Sequence, residues 1–298
     1  MADTASTGTV GIIGIGAMGR PMAMNLQRLG HAPFVRDVDP AAVALAQAEG
    51  LVACDSAIAL AERCDTIIVV VVDAPQIEDV LFGDEGVVHA ARRNAHTVVI
   101  CSTIAPADTE RFRDRLSMHG IACVDAPISG GPARAADGTL AMMVAAERPV
   151  LERCLPLLRD MASSLHLVGE RVGDAARVKL VNNLLAATNL AAGAEAFALG
   201  VRLGLDPQML LDVVNTSSGA SWIVADRMPR ALAGDYAQRA RVGILAKDLG
   251  LALGMAGEAG APAPIGAQAL AAFRAALDAG YADLDDAALL RALLPDRF

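Results

Sequence analysis

The stretch GIIGIGAMGRPMAMNL, Gly11 to Leu26, decides how this chain is read. It carries Gly14-x-Gly16-x-x-Gly19 between Thr9–Ile13, which reads as a buried strand, and a helical segment running to about Leu29 and closed by Gly30. In a chain with 27 glycines the spacing alone is a weak signal. Its place between a strand and a helix is what marks a phosphate-binding turn. Gly14 would allow the tight turn, Gly16 the close approach of a pyrophosphate, and Gly19 the packing of helix on strand. Ala17 and Met18 complete the loop, and the free N–H groups of the helix N-terminus would face the anion. A second strand, Pro33–Val38, delivers Asp37 18 residues after Gly19, where a carboxylate can accept hydrogen bonds from both ribose hydroxyls. Such a group repels a 2′-phosphate and favours NAD over NADP; neighbouring Arg36 acts in the opposite sense.

Outward from this turn, strand and helix alternate. Pro40–Glu49 reads as a helix ended by Gly50. Thr66–Val72 (TIIVVVV) is β-branched and continuous, as a strand covered on both faces should be. Thr97–Cys101 and Ala122–Asp125 give further strands. This order predicts an α/β Rossmann fold with a doubly wound, mainly parallel sheet. Near Val168 the pattern changes: Gly173–Gly204 reads as one long helix, followed by helical segments at Pro207–Asn215, Ser221–Ala233, Ile244–Ala259 and Pro264–Ala279, with no strand. The expected division is a dinucleotide-binding domain, residues 1–168, and an all-α domain, residues 169–298, linked by the long helix. That helix is too apolar to face water, which points to burial within its domain or against a second copy, as a homodimer or homotetramer.

Composition narrows the function. A net charge of −9 argues against nucleic acid as the main partner. No contiguous apolar run approaches the roughly 18 residues of a membrane span, and the N-terminus MADTASTGTV lacks the basic start and apolar core of a signal peptide. Five cysteines (Cys54, Cys64, Cys101, Cys123, Cys154) without CxxC spacing read as reduced core thiols of a cytoplasmic protein. They and the five histidines do not cluster, so no metal site is expected.

The candidate proton-handling groups are few. Among 25 basic side chains only Lys179 and Lys247 are lysine, and arginine cannot release its proton at usable pH. Neither Tyr236 nor Tyr281 is followed four residues later by a lysine, which excludes a tyrosine–lysine pair. Lys179 and Asn183 lie four apart on the long helix and so share a face, where an ammonium and an amide can both reach one substrate hydroxyl. Apolar Val178, Leu180 and Val181 around Lys179 argue against a simple surface charge. In DAPISGGPARAADGTL, Asp125 to Leu140, Ser129-Gly130-Gly131 offers a hydroxyl and flexible N–H groups. On local grounds this is equally an anion nest for a carboxylate or an ordinary Pro/Gly loop.

Together these segments resemble the β-hydroxyacid dehydrogenase family over nearly the whole chain, through four motifs in order. GIIGIGAMGRPMAMNL is similar to the family's cofactor motif, DAPISGGPARAADGTL to its substrate motif, GDAARVKLVNNLL to its catalytic helix, and AKDLGLA (Ala246–Ala252) to its C-terminal motif. The resemblance implies reversible oxidation of a small carboxylate-bearing hydroxy acid by NAD, with NADP as the alternative. It implies that Lys179 handles the hydroxyl proton, Asn183 is its partner, and Ser129, Gly130 and Gly131 hold the carboxylate. It also implies that Lys247 and Asp248 lie at the active-site cleft, that Thr103 (with Ser102) lies near the nicotinamide, and that Val72 lies along the cofactor. Val72 stands where many members carry proline, and Ile100 where many carry aspartate. SSGASWIVADRMPRALAGDY, Ser217 to Tyr236, resembles the L-threonate dehydrogenase branch, and places Trp222 at a substrate pocket, an interface or in the core. An imine reductase on the same fold commonly lacks the lysine. A non-catalytic NAD-binding reader would fit neither the Lys179–Asn183 pair nor the absence of a basic tail.

Overall fold

The computed structural model describes residues 8–297. It contains a sheet whose first six strands are parallel: β1 (Val10–Ile13), β2 (Phe34–Arg36), β3 (Val52–Ala53), β4 (Thr66–Val69), β5 (Thr97–Ile100) and β6 (Ala122–Asp125), in the order β3-β2-β1-β4-β5-β6. The chain winds outward one way from β1 and then returns to wind the other way from β4. The crevice at the carboxyl ends of β1 and β4 is therefore the topological switch point, where ligands of such sheets bind. Three further strands extend the sheet beyond β6. These are β7 (Ile128–Ser129), β8 (Leu140–Ala145) and β9 (Ala162–Gly169); β8 is antiparallel to β6 and β7 but parallel to β9. They were not expected from the sequence.

Helices α1 (Gly19–Arg28), α2 (Pro40–Ala48), α3 (Ala57–Ala61), α4 (Ala74–Phe82), α5 (Pro106–Met118), α6 (Gly131–Asp137) and α7 (Arg148–Met161) cover this sheet. Successive side chains of a strand point to opposite faces. Ile68 and Val99 accordingly join Met22 and Leu26 on one side, while Ile67, Val69 and Val98 join Leu60 and Phe112 on the other. This is why the strands read as unbroken β-branched runs rather than as alternations.

After β9 the chain is helical: α8 (Asp174–Arg202), α9 (Pro207–Asn215), α10 (Trp222–Leu232), α11 (Val242–Glu258), α12 (Pro264–Asp278) and α13 (Leu289–Leu293). The compact units divide within α8, the first running to Lys179 and the second from Leu180. In the second unit α8 is the central element. Ala187, Leu190, Ala194 and Phe197 are buried with Met228, Leu249 and Phe273. By length and composition α8 would suffice to cross a membrane. The contiguous-run criterion missed this because single polar residues interrupt its alanines and leucines. Its core side chains pack within the unit, whereas its Val181, Leu185 and Leu199 are exposed on this chain.

A buried ionic cluster ties down the entry to α11. Asp285 accepts hydrogen bonds from the backbone N–H groups of Arg239 (3.2 Å), Ala240 (3.0 Å) and Ala287 (3.2 Å). Asp286 accepts from Arg227 Nε at 2.5 Å. Burial pushes the Asp286 carboxyl up to about 6, against the opposing pull of Arg227.

Candidate active site

The three glycines of the turn differ in what surrounds them. Gly14 has φ +89°, and a Cβ there would sit 2.4 Å from the backbone oxygen of Val70. A Cβ on Gly19 would lie 1.9 Å from the oxygen of Gly14, so this glycine lets α1 close on β1. A Cβ on Gly16 would meet no atom within 4 Å. The fold thus needs Gly14 and Gly19, whereas the space at Gly16 is used by none of the described residues. Met18, at the N-cap of α1, makes no side-chain capping bond, and Ala17 is exposed.

Asp37 is held against this turn. Its Oδ2 accepts from the Ile15 N–H at 2.7 Å and its Oδ1 from the Asp39 N–H at 2.9 Å. Beside it opens a cavity of about 270 Å³ lined by Arg36, Asp37, Val38, Gln47, Cys54 and Asp55 among others. An unfilled glycine cradle, an uncapped helix start and a fixed carboxylate at the end of β2 fit a dinucleotide. Along the next strand ends, Ser102 Oγ accepts from the Val71 N–H at 3.0 Å, which joins the loops after β4 and β5. Thr103 follows half-buried, and Val72 is exposed.

In the first unit, Ser129 ends β7, paired with Ala141 of β8. Gly130 (φ +133°) and Gly131 (φ +76°) follow in conformations open to glycine and lead into α6. Nothing lies within 4 Å of a Cβ built on Gly131, and one on Gly130 would strike the Arg134 side chain. Lys179 is only 7% exposed and is therefore no solvated helix-surface charge.

In the second unit, Asn183 Nδ2 donates to Asp248 Oδ2 at 2.8 Å, both residues being buried. Lys247 Nζ lies 2.8 Å from Asp248 Oδ1. One carboxylate on α11 therefore ties the amide of α8 to a lysine. Trp222 opens α10 at 59% exposure, with the Arg227 guanidinium 6.0 Å from its ring. Its exposure removes the core-packing reading.

The sequence reading passed over Asp125. It ends β6 only 2% exposed, and its Oδ2 accepts from the N–H groups of Gly173 (2.8 Å) and Ala176 (3.0 Å). Burial pushes its carboxyl up to about 6, while these backbone bonds oppose the rise. Its partners lie 48 and 51 residues away, so no local spacing announces them. Among the described residues no group of His, Cys, Asp or Glu could hold a metal ion.

Two family models match, the NAD-binding domain of 6-phosphogluconate dehydrogenase over residues 9–169 and the NAD-binding domain of NADP-dependent 3-hydroxyisobutyrate dehydrogenase over residues 173–293. The chain belongs to the β-hydroxyacid dehydrogenase family. It is 38% identical to an L-threonate dehydrogenase of Cupriavidus necator, with 95% of each chain covered. It is 35% identical to a 3-hydroxyisobutyrate dehydrogenase of Pseudomonas aeruginosa, covering 93% of this chain and 95% of the relative. The solved structure of a 3-hydroxyisobutyrate dehydrogenase from Salmonella typhimurium superposes with a TM-score of 0.87 at 36% identity, covering 95% of this chain and 99% of that one. As a β-hydroxyacid dehydrogenase the chain uses an NAD(P) cofactor, and the family acts on small hydroxy acids.

Proposed function

We propose that this dehydrogenase reversibly oxidises a small β-hydroxy acid of the L-threonate or 3-hydroxyisobutyrate type with NAD, and that Lys179 exchanges the proton of the reacting hydroxyl. The observation that carries the reading is the lysine. It is one of two in the chain, is kept from bulk water, and stands four residues before an asparagine fixed by Asp248. On this reading Ser129, Gly130 and Gly131 hold the substrate carboxylate, and Lys179 hydrogen-bonds the hydroxyl and takes its proton during oxidation. Asn183 orients substrate and lysine, held by Asp248, while Trp222 and Lys247 border the site. Gly14, Gly16, Ala17, Met18 and Gly19 hold the cofactor pyrophosphate, with Val72 and Thr103 farther along. The nicotinamide, when bound, supplies the acceptor for the hydride leaving the carbinol carbon. Asp37 at the end of β2 supports NAD over NADP.

The reading assigns residues 1–168 to the cofactor and residues 169–298 to substrate and dimerisation. Exposed Val181, Leu185 and Leu199 on α8 support a homodimer or homotetramer. Five free, buried cysteines suit a reducing compartment such as the cytoplasm.

The test is a panel of L-threonate, 3-hydroxyisobutyrate, glycerate and β-hydroxy amino acids with NAD⁺, followed at the NADH absorbance band. At least one acid should be turned over, and Lys179→Ala should lower its kcat by at least about 10² with NAD⁺ affinity retained. No turnover across the panel, or near-normal kcat in the variant, contradicts the proposal.

A further inference from the structure

Helix α8 starts without a cap of its own. The residue before it, Gly173, has φ +103° and no side chain, and a Cβ there would lie 2.8 Å from Glu110 Oε1. The first N–H groups of a helix have no partner within it and must find one elsewhere. Here the partner comes from the sheet. The Asp125 carboxylate receives Gly173 and Ala176, and the neighbouring Ala175 N–H also favours its ionised form. An anionic acceptor suits this end of the helix because the macrodipole is positive there.

The position of Asp125 in the chain gives the contact its further meaning. Four residues after it comes Ser129, and three residues after Ala176 comes Lys179, about 4.5 Å along the helix. The Ser129 loop departs from the strand end that Asp125 occupies, and Lys179 departs from the turn that Asp125 holds. Asp125 itself is registered in the sheet opposite Ile100 on one side and Ala145 on the other. It therefore cannot shift without disturbing the sheet.

We propose that Asp125 is a positioning residue, which fixes the first turn of α8 to the end of β6 and so sets Lys179 in register with the Ser129 loop. The proposal rests on the proposed role of Lys179. Asp125 touches neither reactant and acts only through the backbone of α8.

The other charged groups around the helix start are already engaged with one another. Arg177 reaches Asp174 Oδ1 at 3.0 Å and Glu110 Oε1 at 2.7 Å, and Arg171 reaches Asp174 Oδ1 at 2.8 Å. Asp174 opposes ionisation of Asp125 by like charge, and the neighbouring thiols Cys101 and Cys123 are held protonated by burial. Burial is the largest cause acting on the Asp125 carboxyl, followed by the backbone N–H groups of Ala176, Gly173 and Ala175. The backbone N–H groups of α8 are what it holds.

The experiment compares Asp125→Asn and Asp125→Ala with the parent in two measurements. The first is amide hydrogen exchange of residues 173–180 in the full-length protein with NAD⁺ bound. The second is the pH profile of kcat/KM for oxidation of L-threonate, or of whichever panel acid is turned over. Exchange in this segment should rise in both variants. Because small displacements at a reacting centre carry large rate costs, kcat should fall at least about tenfold in Asp125→Ala. NAD⁺ affinity should stay within about twofold. Asp125→Asn keeps one acceptor oxygen and should recover part of the loss. The acid limb of the profile should shift in both variants. A merely smaller folded fraction would lower kcat and leave that limb in place.

Raised exchange with unchanged kcat and unchanged limb overturns the proposal, as does unchanged exchange. If Asp125→Ala fails to fold, Asp125→Asn alone decides by the same criteria. A Lys179→Ala control separates the two ideas. If that variant is fully active the role of Lys179 fails; if it is inactive while the Asp125 variants match the parent, only the positioning role fails.

Discussion

Replacing each glycine of the turn by alanine separates folding from cofactor binding. At Gly14 the new side chain must accept φ +89°, which costs about 1–2 kcal/mol. It also meets the Val70 oxygen at 2.4 Å, a backbone atom that cannot rotate aside, adding about 1–3 kcal/mol. At a few degrees per kcal/mol for a domain of this size, Gly14→Ala should lower Tm by roughly 5–15 °C. Gly19→Ala carries the steric part alone, against the Gly14 oxygen at 1.9 Å, and should fall in the lower half of that range. Gly16→Ala meets nothing and demands no left-handed backbone, so its Tm should stay within about 2 °C of the parent. Its methyl group would stand where the pyrophosphate must come close, and NAD⁺ affinity should fall at least about tenfold, or 1.4 kcal/mol. Thermal unfolding and titration calorimetry read the two quantities independently. A Gly16→Ala protein that binds NAD⁺ normally, or a Gly14→Ala protein as stable as the parent, refutes the division of roles.

The fixed carboxylate of Asp37 gives a second expectation. Asp37→Ser should raise use of NADP⁺ relative to NAD⁺ by at least about tenfold in the ratio of kcat/KM, and an unchanged ratio would remove Asp37 from cofactor choice. Stability against pH gives a third. Burial raises the carboxyls of Asp125 and Asp286 to about 6 in the folded protein, against an ordinary 3.8. The folded state therefore binds these protons more tightly than the unfolded chain. Their stabilising contribution is complete below about pH 4 and is lost as pH rises through about 6, on the order of 3 kcal/mol for each group. The difference in unfolding free energy between the parent and Asp286→Asn should change by about this amount between pH 4 and pH 7, and a constant difference contradicts it.

What the sequence disclosed follows from where each interaction lies. The six parallel strands were mostly legible because strands covered on both faces need unbroken apolar runs, and TIIV and TVVI supply them. β3 has only two residues and was missed. β8, LAMMVA, was missed because alanine, leucine and methionine favour helices, and only its place beside β6 makes it a strand. β9 lies largely exposed at the sheet's end and lacks a clean apolar face. Helices α8 to α12 were legible nearly to their ends, whereas the short α13 was missed. Asp206 and Ser221 cap α9 and α10, and proline opens α9 and α12. In the candidate site Lys179 is buried as read, but of the apolar neighbours that suggested it only Leu180 is buried, while Val178 and Val181 are exposed. The tie between Asn183 and Asp248 spans 65 residues, and those between Asp125 and the start of α8 span 48 and 51, so neither leaves a spacing to read. The glycine at the start of α8 was the available sign that its cap must come from elsewhere.

The proton-transfer role of Lys179 is tested most directly by chemical rescue. Lys179→Ala is assayed with NAD⁺ and the best panel acid while small primary amines of graded basicity are added. Turnover should fall by at least about 10² and then rise with amine concentration, following amine basicity. An alanine variant that turns over at nearly the parent rate, or a deep loss that no amine relieves, would contradict the account.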